Sequence, residues 1–352
     1  MNSNIKLDYN DLIIVPASTS DIKSRKDIFP YYKHLDRHHL PLITAPMDTV
    51  VDHTNDEFFA KNNINICYPR GIKPSIIFKN GVLQFESISL EEFEIIIQKQ
   101  FTIANSEDGK YYVCIDIANG HMEFLHNLLK SAKKRFGSNI VIMAGNIANP
   151  ETYRIMCDIG VDFVRVGIGN GGACTTTKNV AIGYPAASLI KECYDISMEY
   201  KNPSKIIADG GIKSYSDIFK ALCLGADYVQ IGSVFNKALE SCGDTLLFKT
   251  IPINQNNKIT LWLFKNGFTL TKKFRGMSTK EVQKQWGKTV LTTSEGVVRF
   301  RNVEYTLDSW VENFIDYLKS NMSYCNAKNL NDFVGKNNMV QISAESYKRF
   351  DK

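Results

Sequence analysis

From Leu42 to Ile231 the chain alternates short apolar runs with longer amphipathic stretches, the mark of strand–helix units in a parallel sheet. Eight runs read as strands: Leu42–Ala45, Ile64–Cys67, Phe101–Ala104, Tyr112–Ile115, Ile140–Ala144, Phe163–Val166, Lys205–Ala208 and Tyr228–Ile231. Met122–Phe136 and Ser214–Leu224 read as intervening helices. Eight such units predict an α/β fold of the closed (β/α)8 TIM barrel type, with an open doubly wound sheet as the alternative. A chain of 352 residues, 44% of them apolar, is long enough to form this barrel as a single domain over residues 1–352.

The pattern changes after the eighth run. Residues 234–300 are expected to form a hairpin and active-site flap inserted after the last strand. Within them, Lys258–Phe274 reads as a β-hairpin turning at Asn266-Gly267. Trp310–Ser320 reads as an amphipathic helix packed on the outside, and the three tryptophans, Trp262, Trp286 and Trp310, as packing groups.

The net charge of +5 is spread over the chain, without a basic cluster interleaved with aromatics, so no nucleic-acid partner is expected. The eight cysteines form no Cys-x-x-Cys pair and mostly sit in apolar runs, as in Val113-Cys114-Ile115. That usage suits a reducing compartment. Met1–Lys6 lacks the apolar core of a secretory signal, and no apolar run approaches membrane-spanning length. A cytoplasmic protein with no membrane partner is the expectation.

In a barrel the C-terminal ends of the strands share one face, where active sites are built. Here those ends are polar or glycine-rich: Asp116 to Gly120, Gly145-Asn146, Gly167 to Cys174, Asp209-Gly210-Gly211 and Gly232-Ser233. The loops after the last two strands, with Gly210, Gly211, Gly232 and Ser233, fit a phosphate cradle. Cys174 closes the glycine-rich loop and is followed by Thr175, Thr176 and Thr177, a candidate nucleophile beside hydroxyl proton carriers. His121 reads as a helix-start residue.

An ordered set of motifs resembles the IMP dehydrogenase/GMP reductase family across nearly the whole chain. These are Lys6 to Leu12, Lys23-Ser24-Arg25, Ala45-Pro46-Met47-Asp48-Thr49-Val50, Ile142 to Asn146, the Cys174 loop, Ile207 to Ile212 and Arg275-Gly276-Met277-Ser278. Within the family the chain looks more like the reductases. Asp116-Ile117-Ala118-Asn119-Gly120 and Ile182-Gly183-Tyr184-Pro185 resemble reductase motifs. No regulatory insertion lies between the early strands, and Met277–Glu295 carries no Arg-Tyr pair.

The resemblance implies NADPH-dependent reductive deamination of GMP to IMP and ammonia through a covalent thioimidate on Cys174, with Thr176 and Glu295 handling protons. It implies substrate contacts at Asp209, Gly210, Gly211, Gly232, Ser233, Gly276, Met277, Ser278 and Gly296. Cofactor contacts are implied at Ser24, Arg25, Arg70, Asp116, Ala118, Asn119, Ile168, Gly169, Ser320, Asn321, Met322 and Ser323, the last four reaching from a neighbouring subunit. Backbone carbonyls of Gly169, Gly171 and Cys174 match the family's potassium loop, and a homotetramer is implied. The alternatives are an IMP dehydrogenase-like oxidation of IMP to XMP and a non-catalytic purine nucleotide-binding homologue.

The chain also departs from the family pattern. A Gly-x-Gly-Ser stretch becomes Gly169-Asn170-Gly171-Gly172 and loses a phosphate-binding hydroxyl, which Ser233 is placed to replace. Arginines expected after Thr176 and before the Ser-Glu-Gly motif are Thr177 and Thr292. A His-Lys pair becomes Pro69-Arg70.

Overall fold

A computed structural model describes residues 5–78, 80–99, 104–285, 287, 293, 296–336 and 338–350. Eight parallel strands form the central sheet: β1 (Leu42–Thr44), β2 (Ile66–Tyr68), β3 (Gln84–Ile88), β4 (Tyr111–Asp116), β5 (Ile140–Ile147), β6 (Phe163–Val166), β7 (Lys205–Asp209) and β8 (Tyr228–Ile231). They pair in chain order, and β8 pairs with β1. A parallel bridge between Ile43 and Asn65 joins the remaining edges, closing the expected barrel.

Six of the expected strands coincide with observed ones to within a few residues, and Ile64–Cys67 is displaced to Ile66–Tyr68. The remaining place is filled by β3, not by Phe101–Ala104, of which residues 101–103 lie outside the described residues. Strand β3 escaped the apolar pattern because three of its five residues, Gln84, Glu86 and Ser87, are polar yet buried. Each has a partner. The Gln84 amide donates to the Ile76 carbonyl (2.9 Å), Tyr111 donates to Glu86 (3.2 Å), and Ser87 meets the Cys67 thiol (3.4 Å). Satisfied hydrogen bonds let polar side chains occupy positions that otherwise demand apolar ones.

Helices α1 (Asp56–Lys61), α2 (Leu90–Gln98), α3 (Glu123–Phe136), α4 (Pro150–Ile159), α5 (Ala186–Ser197) and α6 (Tyr215–Leu224) surround the barrel. Their ends carry local stop and start signals. Ser214 and Asp217 form a capping box at the start of α6, and Gly160 ends α4 in a left-handed conformation. Inside the barrel, Ile43, Cys67, Phe85, Cys114, Met143, Phe163, Ile207 and Tyr228 pack as a separate buried cluster. With Cys157, Cys193, Cys223 and Cys325 in the outer core, six of the eight cysteines serve as small core residues, and all eight are free thiols. At the N-terminal end, Tyr32–His34 and Arg37–His39 form a hairpin whose Tyr32 packs on Tyr228 at 5.1 Å. That closes the floor and leaves the opposite end open.

After β8, strands β9 (Thr245–Leu247), β10 (Ile251–Ile253), β11 (Leu270–Arg275) and β12 (Val298–Asn302) form an antiparallel sheet ordered β10-β9-β11-β12. The hairpin expected at Lys258–Phe274 is not formed. Lys258–Lys265 is helix α7, and only Leu270 onward is strand. Asn257 caps the helix by accepting from the Ile259 N–H, and Gly267 follows its end with φ +80°. The Asn-Gly pair is therefore a helix terminator rather than a hairpin turn. Leu261 and Phe264 pack on Leu239, Leu270 and Val303, a helical spacing that the run Ile259-Thr260-Leu261-Trp262-Leu263 carries alongside its alternation. Helix α8 (Leu307–Tyr324) buries Trp310, Phe314 and Leu318 against the barrel exterior, as expected for this segment.

Candidate active site

The open end of the barrel holds a cavity of about 480 Å³, within the usual range for small-ligand sites. Its wall brings together most residues singled out in the sequence. From the middle strands come Arg70, Asp116, Ala118, Gly171, Cys174 and Thr176. From the last two strands come Asp209, Gly210, Gly211, Gly232 and Ser233, and from the insertion Gly276, Met277 and Ser278.

Cys174 follows a turn in which its own N–H donates to the Gly171 carbonyl (3.0 Å). The next residues start the short helix Thr176–Val180. The thiol is half-buried and lies 3.2 Å from the Thr176 hydroxyl, to which it donates. Gly167, where the loop leaves β6, has φ +137°, and a Cβ there would lie 2.2 Å from the Asp209 carbonyl oxygen. Only glycine permits that turn and that approach.

Three segments are stitched around the thiol. The Val297 N–H donates to the Ala173 carbonyl (3.0 Å), and the Gly276 N–H donates to the Val297 carbonyl (3.2 Å). Cys174 and Gly296 pair as an isolated antiparallel bridge. Glu295, together with Thr292 and Ser294, lies outside the described residues.

The floor of the cavity is a charged network centred on Arg165, which points inward from β6. Its Nη1 donates to Asp116 at 2.9 Å, and its Nη2 and Nε donate to Asp209 at 3.1 and 3.3 Å. Asn146 adds a 2.7 Å hydrogen bond to Asp209, and Arg70 forms an ion pair with Asp116 at 3.4 Å. All three groups acting on Asp209 use Oδ2; among the described residues Oδ1 takes none of these bonds. A fixed carboxylate with an unused oxygen suits a diol such as ribose. Neither Arg165 nor Asn146 was singled out as a site residue in the sequence. The available signal was one charge inside the apolar run Phe163-Val164-Arg165-Val166, which needs a partner if the strand is buried.

Other expected residues lie elsewhere. Asn119, Ile168 and Gly169 do not line the cavity. Ser24 caps the turn Arg25–Asp27, which packs on α8, and Ser20 donates to the Ser323 carbonyl (3.0 Å). The Ser24-Arg25 and Ser320–Ser323 stretches thus share one outer region apart from the cavity. At the strand ends expected to cradle a phosphate, the Gly211 N–H is already given to the Asn170 carbonyl (2.8 Å). No described helix is long and apolar enough to cross a membrane. Among the described residues, no group of three or more His, Cys, Asp or Glu side chains could hold a metal.

The fold and site together define a (β/α)8 barrel with a small-ligand-sized cleft at its open end, lined by a thiol and a fixed carboxylate. Comparison with known proteins narrows this class. A family model described as the IMP dehydrogenase / GMP reductase domain matches residues 103–350. The GMP reductase of Buchnera aphidicola subsp. Schizaphis graminum is 28% identical over 98% of this chain and 97% of its own. GMP reductase 2 of Homo sapiens is 26% identical over 98% and 97%. The inosine-5'-monophosphate dehydrogenase of Chlorobaculum parvum is 32% identical over 68% of this chain and 46% of its own. The chain belongs to the IMP dehydrogenase/GMP reductase family and is an oxidoreductase of that family.

Proposed function

We propose that the protein reductively deaminates GMP to IMP and ammonia, with NADPH as reductant. The observation that carries this reading is the Cys174 thiol, 3.2 Å from the Thr176 hydroxyl in a cleft that Asp209 also lines. Similarity to GMP reductases over almost the full length of both chains supports it.

In this reading Asp209 accepts from the ribose hydroxyls, and Gly210, Gly211, Gly232 and Ser233 surround the phosphate. Gly276, Met277, Ser278 and Gly296 border the purine. The Cys174 sulfur adds to C2, the C2–amino bond breaks, and ammonia leaves with protons delivered through Thr176 and Glu295. That leaves a thioimidate between sulfur and C2. NADPH supplies a hydride to C2 when bound, and the sulfur then departs as thiolate, releasing IMP. Arg70, Asp116, Ala118 and Asn119 lie on the nicotinamide side. Ser24 and Arg25 would meet the adenosine phosphates, and Ser320–Ser323 of a neighbouring subunit, with Ile168 and Gly169, would make further cofactor contacts. The potassium role of the Gly169, Gly171 and Cys174 carbonyls belongs to the same proposal. No step depends on it, and the Gly171 carbonyl is already held by the Cys174 N–H.

The test is GMP with NADPH or NADH, following cofactor absorbance and ammonia together. Stoichiometric loss of cofactor and gain of ammonia is expected. XMP formed from IMP and NAD, without GMP-dependent NADPH oxidation, would instead assign the dehydrogenase reaction. Tight GMP binding without turnover in either direction would assign a non-catalytic protein.

A further inference from the structure

Strand β12 returns from the flap, and the alternation of a strand sends Arg299 and Arg301 to the same face. Both line a second cavity of about 310 Å³, together with Lys213 and Lys237. This cavity shares Gly172, Gly211, Ile212 and Ser233 with the main one, so the two adjoin at the phosphate cradle. None of its lining residues is acidic. Lys237 is neutralised by Glu304 at 2.8 Å, whereas neither arginine makes an ion pair among the described residues.

Arg301 is the central group. Its guanidinium carbon lies 4.8 Å from the centre of the Phe274 ring, a cation–π contact. Its Nε is buried and has no hydrogen-bond partner among the described residues. Its Nη2 lies 3.1 Å from the point where a Cβ on Gly172 would stand, with the Ser233 Oγ 3.8 Å from that point. Burial and then Arg299 lower the Arg301 pKa, opposed in part by Glu304 and Tyr305. Such an arrangement is stabilised by an anion with several acceptor oxygens.

We propose that Arg301, assisted by Arg299, binds the terminal phosphate of the substrate from the flap-return strand, on the side where Gly172 offers no hydroxyl. The inference rests on the main cavity being a nucleotide site. It assigns a specificity contact to a strand outside the barrel's own cradle, and it explains how the chain does without a serine at position 172. Because β12 follows Gly296 directly, the phosphate also holds the strand that is joined to the Cys174 loop.

The test is calorimetric binding of three ligands: GMP, ribose 5-phosphate, which lacks the purine, and guanosine, which lacks the phosphate. Arg301→Ala is expected to weaken GMP and ribose 5-phosphate by about 10- to 100-fold, the range for a lost charged hydrogen bond, and to leave guanosine within about twofold. Arg301→Lys, keeping charge without the fork, is expected to fall between. Gly172→Ser should restore part of the loss in the Arg301→Ala background. In the wild type it should bring no gain, since the new Cβ meets Nη2 at 3.1 Å. Unchanged ribose 5-phosphate affinity in Arg301→Ala and Arg301→Lys, an equal loss for guanosine, or no ribose 5-phosphate binding by the wild type overturns the proposal. Arg301-dependent ribose 5-phosphate binding without GMP binding would retain the phosphate ligand and reject the guanine nucleotide reading.

Discussion

Cys174 and Gly296 pair as neighbours on two antiparallel segments, one the loop after β6 and the other the end of the flap. A side chain at Gly296 would be crowded by the insertion rather than by Cys174. A Cβ there would lie 3.0 Å from the Ser278 Oγ and 3.2 Å from both the Gly276 Cα and the Thr279 Cγ2. Gly296→Val is therefore expected to push the flap off the thiol loop and to lower kcat about 10- to 100-fold, equivalent to about 1.4 to 2.7 kcal/mol in the barrier. Steady-state kinetics with a parallel denaturation curve checks this. A variant with wild-type kcat would show that the close packing has no catalytic consequence.

The thiol and the Thr176 hydroxyl are expected to act at different stages. Cys174→Ala should abolish turnover and any covalent adduct seen by intact-mass spectrometry while retaining GMP binding. Thr176→Val keeps the shape but removes the proton carrier 3.2 Å from sulfur. It should lower kcat by about 10²- to 10⁴-fold, the usual range for a lost general acid or base. Measurable turnover by Cys174→Ala comparable to wild type rejects covalent catalysis.

Arg165 forms ion pairs with two carboxylates at once. Its side chain is 8% exposed, and those of Asp116 and Asp209 are 15% and 18% exposed. Arg165→Met would remove the cation the two acids share, leaving Asp116 with Arg70 and Asp209 with the Asn146 amide in a poorly solvated floor. A loss of about 3 to 5 kcal/mol in stability is expected, as for a buried pair stripped of one partner. Arg165→Met/Asp116→Asn should recover part of it. Chemical denaturation of the single and double variants gives the coupling, and strict additivity would count against a shared network.

Lys272 on β11 is fully buried, and its ammonium donates to the Ser241 carbonyl. Burial, opposed by Cys242, Glu240, Asp244 and Asp52, brings its pKa down to about 7 from 10.5. In the window between those values the unfolded chain binds a proton that the folded chain does not. Stability from this group therefore rises with pH through the window, on the order of 1 kcal/mol per unit, and its penalty is complete below about pH 7. Lys272→Met should flatten that rise. Denaturation midpoints of wild type and variant at pH 7 and pH 10 measure the difference, and parallel pH profiles would contradict it.

Much of the barrel and the site was legible in the sequence. Strands buried on both faces read as apolar runs, and the polar or glycine-rich text at their ends falls on one face once the sheet closes. Cys174, Asp209 and Ser233 could thus be placed on that face before their distances were known, whereas Gly276 was named through the family resemblance. Strand β3 was missed because its Gln84, Glu86 and Ser87 are reconciled with burial by partners distant in sequence. Helix α7 was misread because a short apolar run satisfies both periods, and only packing on Leu239 and Val303 chooses between them.

By itself, the sequence determined the features set by local periodicity: the βα alternation, the helix caps and the glycine-rich strand ends. Tertiary structure alone decided which charges meet. Arg165 bridges Asp116, 49 positions earlier, and Asp209, 44 later, because their strands lie around one closed barrel. Arg301 reaches the empty space at Gly172 because β12 folds back over the cradle. Electrostatic interactions act through space at a few ångströms, whereas local sequence patterns reach only a few residues along the chain. The thiol could therefore be read from its loop, while the charges around its ligand required the closed fold.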